Sequence, residues 1–239
     1  MKRADGRKFN ELRQVTITPD FVKFAEGSVL IQCGDTMVLC CASVEDRVPP
    51  HVKPGCGWVT AEYSMLPRAN RQRSRRDIDK LKLSGRSAEI QRLIGRSLRA
   101  AVDREKLGPR TITVDCDVLQ GDGGTRTASV TGGFIALALA CKKLMAEGIL
   151  TENPVKHYVA GISAGIVGET ALLDLCYEED SRAEVDLNCV MDDNLAIIEL
   201  QGTGEGRSFT VDEQQTLVQL CRKGLAELIE KEKEIVGEL

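Results

Sequence analysis

The stretch Gly121-Asp122-Gly123-Gly124-Thr125-Arg126-Thr127-Ala128-Ser129 joins two segments of opposite character. Residues 111–119 before it are rich in β-branched side chains and predict a strand. The apolar run after it, from about Thr131 to Met145, predicts a helix. The glycines therefore lie at the predicted N-terminus of a helix.

This glycine turn has the composition of an anion-binding site. Glycine lets backbone N–H groups approach an anion closely, and the helix N-terminus adds partial positive charge at the same place. Arg126 adds a planar fork of donors, and Thr125, Thr127 and Ser129 add hydroxyl donors. Because no Lys-Ser or Lys-Thr pair follows the glycines, this is not a Walker loop, and we predict a phosphate site of another kind. The alternative is a tight turn with solvated polar side chains.

Further strands and helices are predicted on both sides of this unit. One helix begins at Ser84-Gly85-Arg86, and another begins at Thr210, where Thr210-Val211-Asp212-Glu213 has the pattern of a capping box. The chain thus consists of strands and two helices followed by strands and one helix, which indicates an α+β or α/β domain. The remaining strands are predicted at 12–18, 27–33, 36–42, 57–63, 158–167, 170–177, 183–191 and 195–200.

We expect a single domain over residues 1–239, with related halves at about 1–147 and 158–239 and a linker at 148–157. The composition is that of a globular protein, with 42% hydrophobic and 28% charged residues and a net charge of −4. We find no signal peptide and no apolar run of the length of a membrane span, so we expect no membrane partner. The nine cysteines are scattered without a Cys-x-x-Cys pair, which favours free thiols over a metal site and implies a reducing compartment, so we expect a cytoplasmic protein. Both histidines, His51 and His157, are expected to be surface residues.

Residues 68–82 are strongly basic, although the chain as a whole is acidic. They have no apolar periodicity, so a loop is predicted. Its local positive charge suggests directed contact with a polyanion, and the alternative is a disordered, solvated loop. The basic residues of this arm are Arg68, Arg71, Arg73, Arg75, Arg76, Lys80 and Lys82, against Asp77 and Asp79.

Two carboxylates are candidates for a shared site. Asp180 lies where a predicted strand gives way to a turn, and Asp186 lies on the next strand, with Glu184 and Asn188 on the same face. A turn that carries Asp180 back beside Asp186 would suit a hard cation such as Mg²⁺ and phosphoryl-transfer chemistry. The alternative is a solvated acidic turn.

These elements, together with several longer strings, resemble the ribonuclease PH family. The resemblance extends over nearly the whole chain. The strings that carry it are Asp5-Gly6-Arg7, Ala25-Glu26-Gly27-Ser28-Val29-Leu30, Thr60-Ala61-Glu62-Tyr63-Ser64-Met65-Leu66-Pro67-Arg68, Glu89-Ile90-Gln91-Arg92-Leu93-Ile94-Gly95-Arg96, Asp115-Cys116-Asp117-Val118-Leu119-Gln120, Glu184-Val185-Asp186-Leu187-Asn188 and Glu199-Leu200-Gln201-Gly202-Thr203.

The resemblance implies a two-lobed α+β fold of the ribosomal protein S5 domain 2-like type, and a hexamer of identical chains built as a trimer of dimers. It implies a phosphate-dependent 3′→5′ exoribonuclease that trims tRNA precursors and other RNA 3′ ends, releases nucleoside diphosphates and runs backward as a nucleotidyltransferase. By the same resemblance, Arg86, Gly124, Thr125 and Arg126 would bind inorganic phosphate. Asp180 and Asp186 would bind Mg²⁺ or Mn²⁺ and support catalysis, and Arg68, Arg73 and Arg76 would bind RNA.

Two other functions are considered. A non-catalytic RNA-binding ring subunit of an exosome-like assembly would lack the carboxylates or the phosphate-binding arginines, and this chain has both. A small-molecule kinase on a related scaffold would need a nucleotide-binding loop near the N-terminal strands, and we find none. Phosphorolysis agrees with the sequence because phosphate itself attacks, so that no Ser, Cys or His nucleophile is required.

Overall fold

The computed structural model describes residue 3, residues 5–76 and residues 84–239. Its first elements are β1 (Val15–Pro19), β2 (Gly27–Cys33), β3 (Thr36–Glu45), β4 (Trp58–Met65), α1 (Gly85–Ala100), α2 (Arg104–Leu107) and β5 (Thr111–Gln120). The five strands form one sheet with the order β1-β2-β3-β5-β4. All neighbours in it pair antiparallel except β4 and β5, which are parallel and are joined through α1 and α2. Parallel neighbours require a crossover connection of this kind.

The remaining elements are α3 (Thr125–Ala146), β6 (Val159–Val167), β7 (Thr170–Leu173), α4 (Tyr177–Asp180), β8 (Val185–Asp192), β9 (Ile197–Gly204) and α5 (Val211–Val236). The four strands form a second sheet that is antiparallel throughout, with the order β7-β6-β8-β9. The long helix α3 connects the two sheets, and α5 packs on β6, β7 and β8. The prediction of an α+β fold with strand-then-helix halves is confirmed.

The helix α3 forms the centre of the core. It packs on β2, β3 and β5 of the first sheet and on β6 and β8 of the second. One contiguous cluster of buried apolar side chains, with Phe134 and Leu137 fully buried on α3, extends through both sheets. The expectation that no segment is apolar enough to cross a membrane was wrong, because α3 has a mean hydropathy of 1.4 over 18 residues. Of that window 78% is buried between the sheets, as is typical of a core helix.

The boundaries of several predicted elements differ by a few residues from those in the structure, and two of these differences change the type of element that a segment forms. The helix α3 begins at Thr125 instead of about Thr131. Its early Thr and Ser residues fit a helix because Thr127 and Ser129 donate their hydroxyls to carbonyls of the preceding turn. The strand predicted to reach residue 177 ends at Leu173, and a single helical turn, α4, follows, capped by the Glu179 carboxylate, which accepts from the N–H of Cys176 at 3.2 Å.

The close approach of α3 to β2 yields a stability prediction. A Cβ on Gly27 would overlap the carbonyl oxygen of Ala136 and lie 2.6 Å from the nitrogen of Ala140. Gly27→Ala should therefore lower the free energy of unfolding by about 1–3 kcal/mol or more, measured in urea at one protein concentration. The control is Gly85→Ala, where a Cβ meets nothing within 4 Å at the start of α1. Equal stability of the two variants would contradict this account of the core.

Candidate active site

A cavity of about 340 Å³ opens between the N-terminus of α3, the end of α4 and β8. It brings together all six residues that the sequence analysis assigned to phosphate and metal. Its lining consists of Arg86, Gly124, Thr125, Arg126, Ser163, Asp180, Ser181, Ala183, Asp186, Asn188 and Glu205.

One wall of the cavity is the N-terminus of α3. Gly123 and Gly124 both have positive φ, at 75° and 63°, which directs the chain into the helix at Thr125. Gly123 has no room for a side chain, because a Cβ would lie 2.6–2.9 Å from the backbone of residues 175–177. The first N–H groups of a helix have no intrahelical acceptor, so this wall presents backbone donors together with the positive end of the helix dipole.

Two guanidinium groups add to this positive wall. The Nη1 of Arg126 donates to Gln201 Oε1 at 2.5 Å and to Glu89 Oε1 at 3.3 Å, and the Nε2 of Gln201 donates to the same Glu89 oxygen at 3.2 Å. These bonds orient Arg126 and leave its Nη2 without an acceptor in the described part of the chain. Arg86 is exposed in the first turn of α1 and forms no ion pair with any described residue. The cavity therefore has two fork-shaped donors available for an anion.

The hydroxyl groups of the glycine turn behave differently from the prediction. Thr125 lines the cavity, and its hydroxyl shares a hydrogen bond of 2.8 Å with that of Tyr63. Thr127 and Ser129 are buried, and their hydroxyls donate to the carbonyls of Gly124 and Thr125. The prediction that these two hydroxyls face an anion was wrong, because the helix begins earlier than expected and places them inside it.

The opposite wall carries the two carboxylates. Asp180 is the last residue of α4, and Asp186 lies on β8, where Asn188 Nδ2 donates to its Oδ2 at 2.9 Å. Burial and, next, the negative charge of Asp180 raise the pKa of Asp186 to about 6. Partial burial also raises the pKa of Asp180, against the opposing charges of Arg86 and Arg126. Both carboxylates are thus destabilised as anions, and a cation between them would relieve this.

Several residues of the site were not predicted. Glu205, Ser163 and Asn188 line the cavity, and the packed pair of Glu89 and Gln201 holds Arg126. Alternation along β8 had placed Asn188 on the face of Asp186, which could have identified it. Glu205 follows β9 in a glycine-rich turn, where the sequence has no pattern that indicates a site.

Residues outside the cavity include those of the basic arm. Arg68, Arg73 and Arg76 are exposed, and Arg68 donates to the carbonyl of Arg71 at 3.1 Å. Residues 77–82 of the arm lie outside the described residues. Neither histidine lines the cavity: His51 packs edge-on against Trp58, while His157 contacts Asp193 at 3.0 Å. His157, Asp192 and Asp193 each have a possible metal-binding atom, and these three atoms lie within 4.8 Å of one another.

Sequence comparison now identifies the family. The 3′ exoribonuclease family matches this chain through its domain 1 at residues 11–143 and its domain 2 at residues 157–224. The chain belongs to the ribonuclease PH family. It is 56% identical over 238 residues to the ribonuclease PH of Bacillus subtilis (strain 168), with 99% of this chain and 97% of that protein covered. The ribonuclease PH of Bacillus velezensis gives the same identity and coverage.

A solved structure agrees with this assignment. A chain of the Archaeoglobus fulgidus exosome with RNA bound to the active site has a TM-score of 0.83 and 26% identity, and the match covers 96% of this chain and 92% of that one. The predicted family, fold and enzyme class are confirmed: the chain is a phosphorolytic 3′→5′ exoribonuclease and tRNA nucleotidyltransferase, with phosphate as co-substrate. The non-catalytic alternative is not favoured.

The raised pKa of Asp186 gives a pH-dependent prediction. In the folded protein this carboxyl keeps its proton up to about pH 6, whereas an unfolded Asp loses it near pH ~4. The contribution of Asp186 to the stability of the metal-free protein should therefore fall as the pH rises between these values. Asp186→Asn removes the unfavourable charge and can still accept from Asn188, so it should raise the unfolding temperature at pH 8 in EDTA and have little effect near pH 4.

Calorimetry at the two pH values measures this difference. Asp35→Asn, at an exposed hairpin turn, is the control and should show no such pH-dependent gain. An Asp186→Asn protein that is no more stable than wild type at pH 8 would show that the carboxylate is not destabilised in the fold.

Proposed function

We propose that the two walls of the cavity have different roles in phosphorolysis, one toward inorganic phosphate and the other toward the end of the RNA. The observation that carries the proposal is the placement of an open helix N-terminus with two guanidinium groups opposite a pair of partly buried carboxylates. Arg86 and Gly124 to Arg126 would hold inorganic phosphate. Asp180 and Asp186 would face the last phosphodiester of the RNA.

The reaction then follows from this arrangement. An oxygen of the bound phosphate attacks the phosphorus of the terminal linkage, and the bond from that phosphorus to the 3′ oxygen of the preceding nucleotide breaks. The released 3′ oxygen takes the proton that the attacking hydrogen phosphate gives up, directly or through solvent. The products are an RNA that is one nucleotide shorter and a nucleoside diphosphate. The guanidinium groups and helix N–H groups around the phosphate are already in place, so they would stabilise the negative charge that develops in the transition state without having to move.

Asp180 and Asp186 fit a divalent metal. Both are oxygen ligands, both lie in one polar cavity, and each is destabilised as an isolated anion, which is what Mg²⁺ or Mn²⁺ would offset. When bound, such an ion would neutralise charge on the scissile phosphate. The side chain of Asn188 would keep Asp186 oriented, because it already donates to one carboxylate oxygen.

The role of Arg126 can be tested through the phosphate dependence. Arg126→Gln removes a charge-assisted contact of ~1.5–3 kcal/mol, so the KM for phosphate should rise about 10- to 100-fold. The measurement is release of nucleoside diphosphates from a labelled RNA over a range of phosphate concentrations. Arg222→Gln, at an exposed position on α5, is the control. An unchanged KM for phosphate in Arg126→Gln would remove this residue from the phosphate site.

We further propose that the basic arm holds the body of tRNA substrates. Arg68, Arg73 and Arg76 are exposed and lie outside the cavity, and residues 68–76 contain no aromatic side chain, so phosphate contact is favoured over base stacking. Replacement of all three by Ala should weaken tRNA binding and reduce the log–log salt slope by roughly 0.7–0.9 for each RNA phosphate that the arm no longer binds. Short single-stranded RNA should be degraded at a similar maximal rate. An unchanged salt slope would indicate a solvated loop, and loss of activity on short RNA would place the arm in the active site.

The assembly is proposed on the same basis. The archaeal relative of known structure is an exosome chain, and this chain exposes apolar side chains such as Phe21 and Phe24, at 50% and 86%. We infer a homohexamer, a trimer of dimers, in which such surface is buried between subunits. Light scattering should give the mass of six chains, and a fully active monomer at micromolar concentration would contradict the inference.

A further inference from the structure

A buried arginine outside the cavity contacts the two chain segments that lead into the walls of the active site. Arg13 precedes β1, and its side chain is 5% exposed. Its Nη2 and Nε donate to the two carboxylate oxygens of Asp174 at 2.7 and 3.1 Å, and its Nη1 donates to the carbonyl of Asp122 at 2.6 Å. A single guanidinium group therefore connects two segments that are far apart in sequence.

The first of these segments leads to Asp180. Asp174 comes directly after β7 and three residues before α4, which ends at Asp180. It is buried and has a φ of 53°, a conformation that costs a non-glycine residue free energy and that its surroundings must maintain. Its carboxylate also accepts from the backbone N–H of Arg13 at 2.8 Å. Arg13 thus fixes the point from which α4 departs, together with Arg3 and Arg7, which donate to the carbonyl of Asp174 at 3.0 and 3.1 Å.

The second segment is the glycine turn at residues 121–124, which is the phosphate loop of the proposed function. Asp122 begins the Asp-Gly-Gly turn that enters α3, and its own side chain accepts from the N–H of Tyr177 at 3.3 Å. Gly124 lies so close to the guanidinium that a Cβ there would be 2.9 Å from Arg13 Nη2. The loop therefore contacts Arg13 on one side and the start of α4 on the other.

We propose that Arg13 is a positioning residue for phosphorolysis, which sets the separation between the phosphate loop and Asp180. The inference rests on the proposed function, since it concerns the distance between the phosphate and carboxylate walls. Arg13 does not line the cavity and so acts through the backbone of the residues that do. Only a planar fork with three nitrogen donors can make both contacts at once, and Lys supplies the charge without this geometry.

Arg3 provides a matched control. It is buried to the same degree, and its Nε and Nη2 form a paired contact with Glu179 of α4, both at 2.7 Å. It also donates to the carbonyl of Asp174 at 3.0 Å. Unlike Arg13, Arg3 makes no hydrogen bond to the phosphate loop in the described structure. Arg3→Lys therefore disturbs an ion pair on α4 without breaking the link to that loop.

The test compares Arg13→Lys with Arg3→Lys in the full-length protein. Unfolding temperature and oligomeric mass are measured first, followed by kcat and the separate KM values for phosphate and for a short RNA. We expect Arg13→Lys to lower kcat/KM for phosphate about 100-fold, because a shift of the bound phosphate by about 1 Å has an effect of this size. The KM for short RNA should change less than threefold. Arg3→Lys should lose similar stability and keep the wild-type KM for phosphate.

The outcomes separate this inference from the function on which it rests. If Arg13→Lys keeps the wild-type kcat/KM for phosphate, or if it changes phosphate and RNA parameters as Arg3→Lys does, Arg13 is only structural and the inference fails. If Arg126→Gln leaves the KM for phosphate unchanged, the phosphate site itself is misassigned. Should Arg13→Lys not fold, Asp174→Asn, which has the same shape and a weaker bond to Arg13, replaces it, with a rise in the KM for phosphate expected and an unchanged KM contradicting the inference.

Discussion

The packing of the α3 N-terminus between the two sheets is the constraint on which the rest of the structure depends. The helix is apolar on nearly all sides because both sheets cover it, and its first turn is the one part that reaches the polar cavity. Glycines at 123 and 124 allow the chain to enter the helix without a side chain that would collide with α4 or Arg13. The same burial that stabilises the fold thus holds in place the backbone donors of the wall that we propose binds phosphate.

The electrostatics of the cavity follow from this arrangement. Positive groups are fixed on one wall by the helix and by the contacts of Arg126 with Glu89 and Gln201. On the other wall Asp186 is partly buried near the charge of Asp180. Both effects disfavour its ionised form and raise its pKa, so the ionised pair lowers the stability of the fold. A substrate phosphate would offset the positive charge of one wall, and a cation would offset the negative charge of the other. Active sites commonly retain such unfavourable charges because binding and catalysis require them.

Much of the fold could be predicted from local patterns, whereas the supporting contacts of the site could not. The run from Gly27 to Cys33 and the helix that begins after Ser84 were predicted with their correct starts, because a turn or cap residue marks each. The start of α3 was placed too late, since its Thr and Ser residues suggested a loop, whereas their hydroxyls bond within the helix. Pattern and family resemblance singled out Asp180 and Asp186, which both line the cavity. Arg13 was not, because its partners, Asp122 and Asp174, lie more than a hundred residues away in the chain.

We propose that phosphate and metal bind to opposite walls of one cavity. The most direct measurement is a crystal structure of the protein with Mn²⁺ and inorganic phosphate, in which anomalous scattering locates the metal. We expect Mn²⁺ bonded to carboxylate oxygens of Asp180 and Asp186, and a phosphate on the N–H groups at the start of α3 and the guanidinium of Arg86. Metal bound instead at His157, Asp192 and Asp193, or phosphate bound away from the α3 N-terminus, would contradict it.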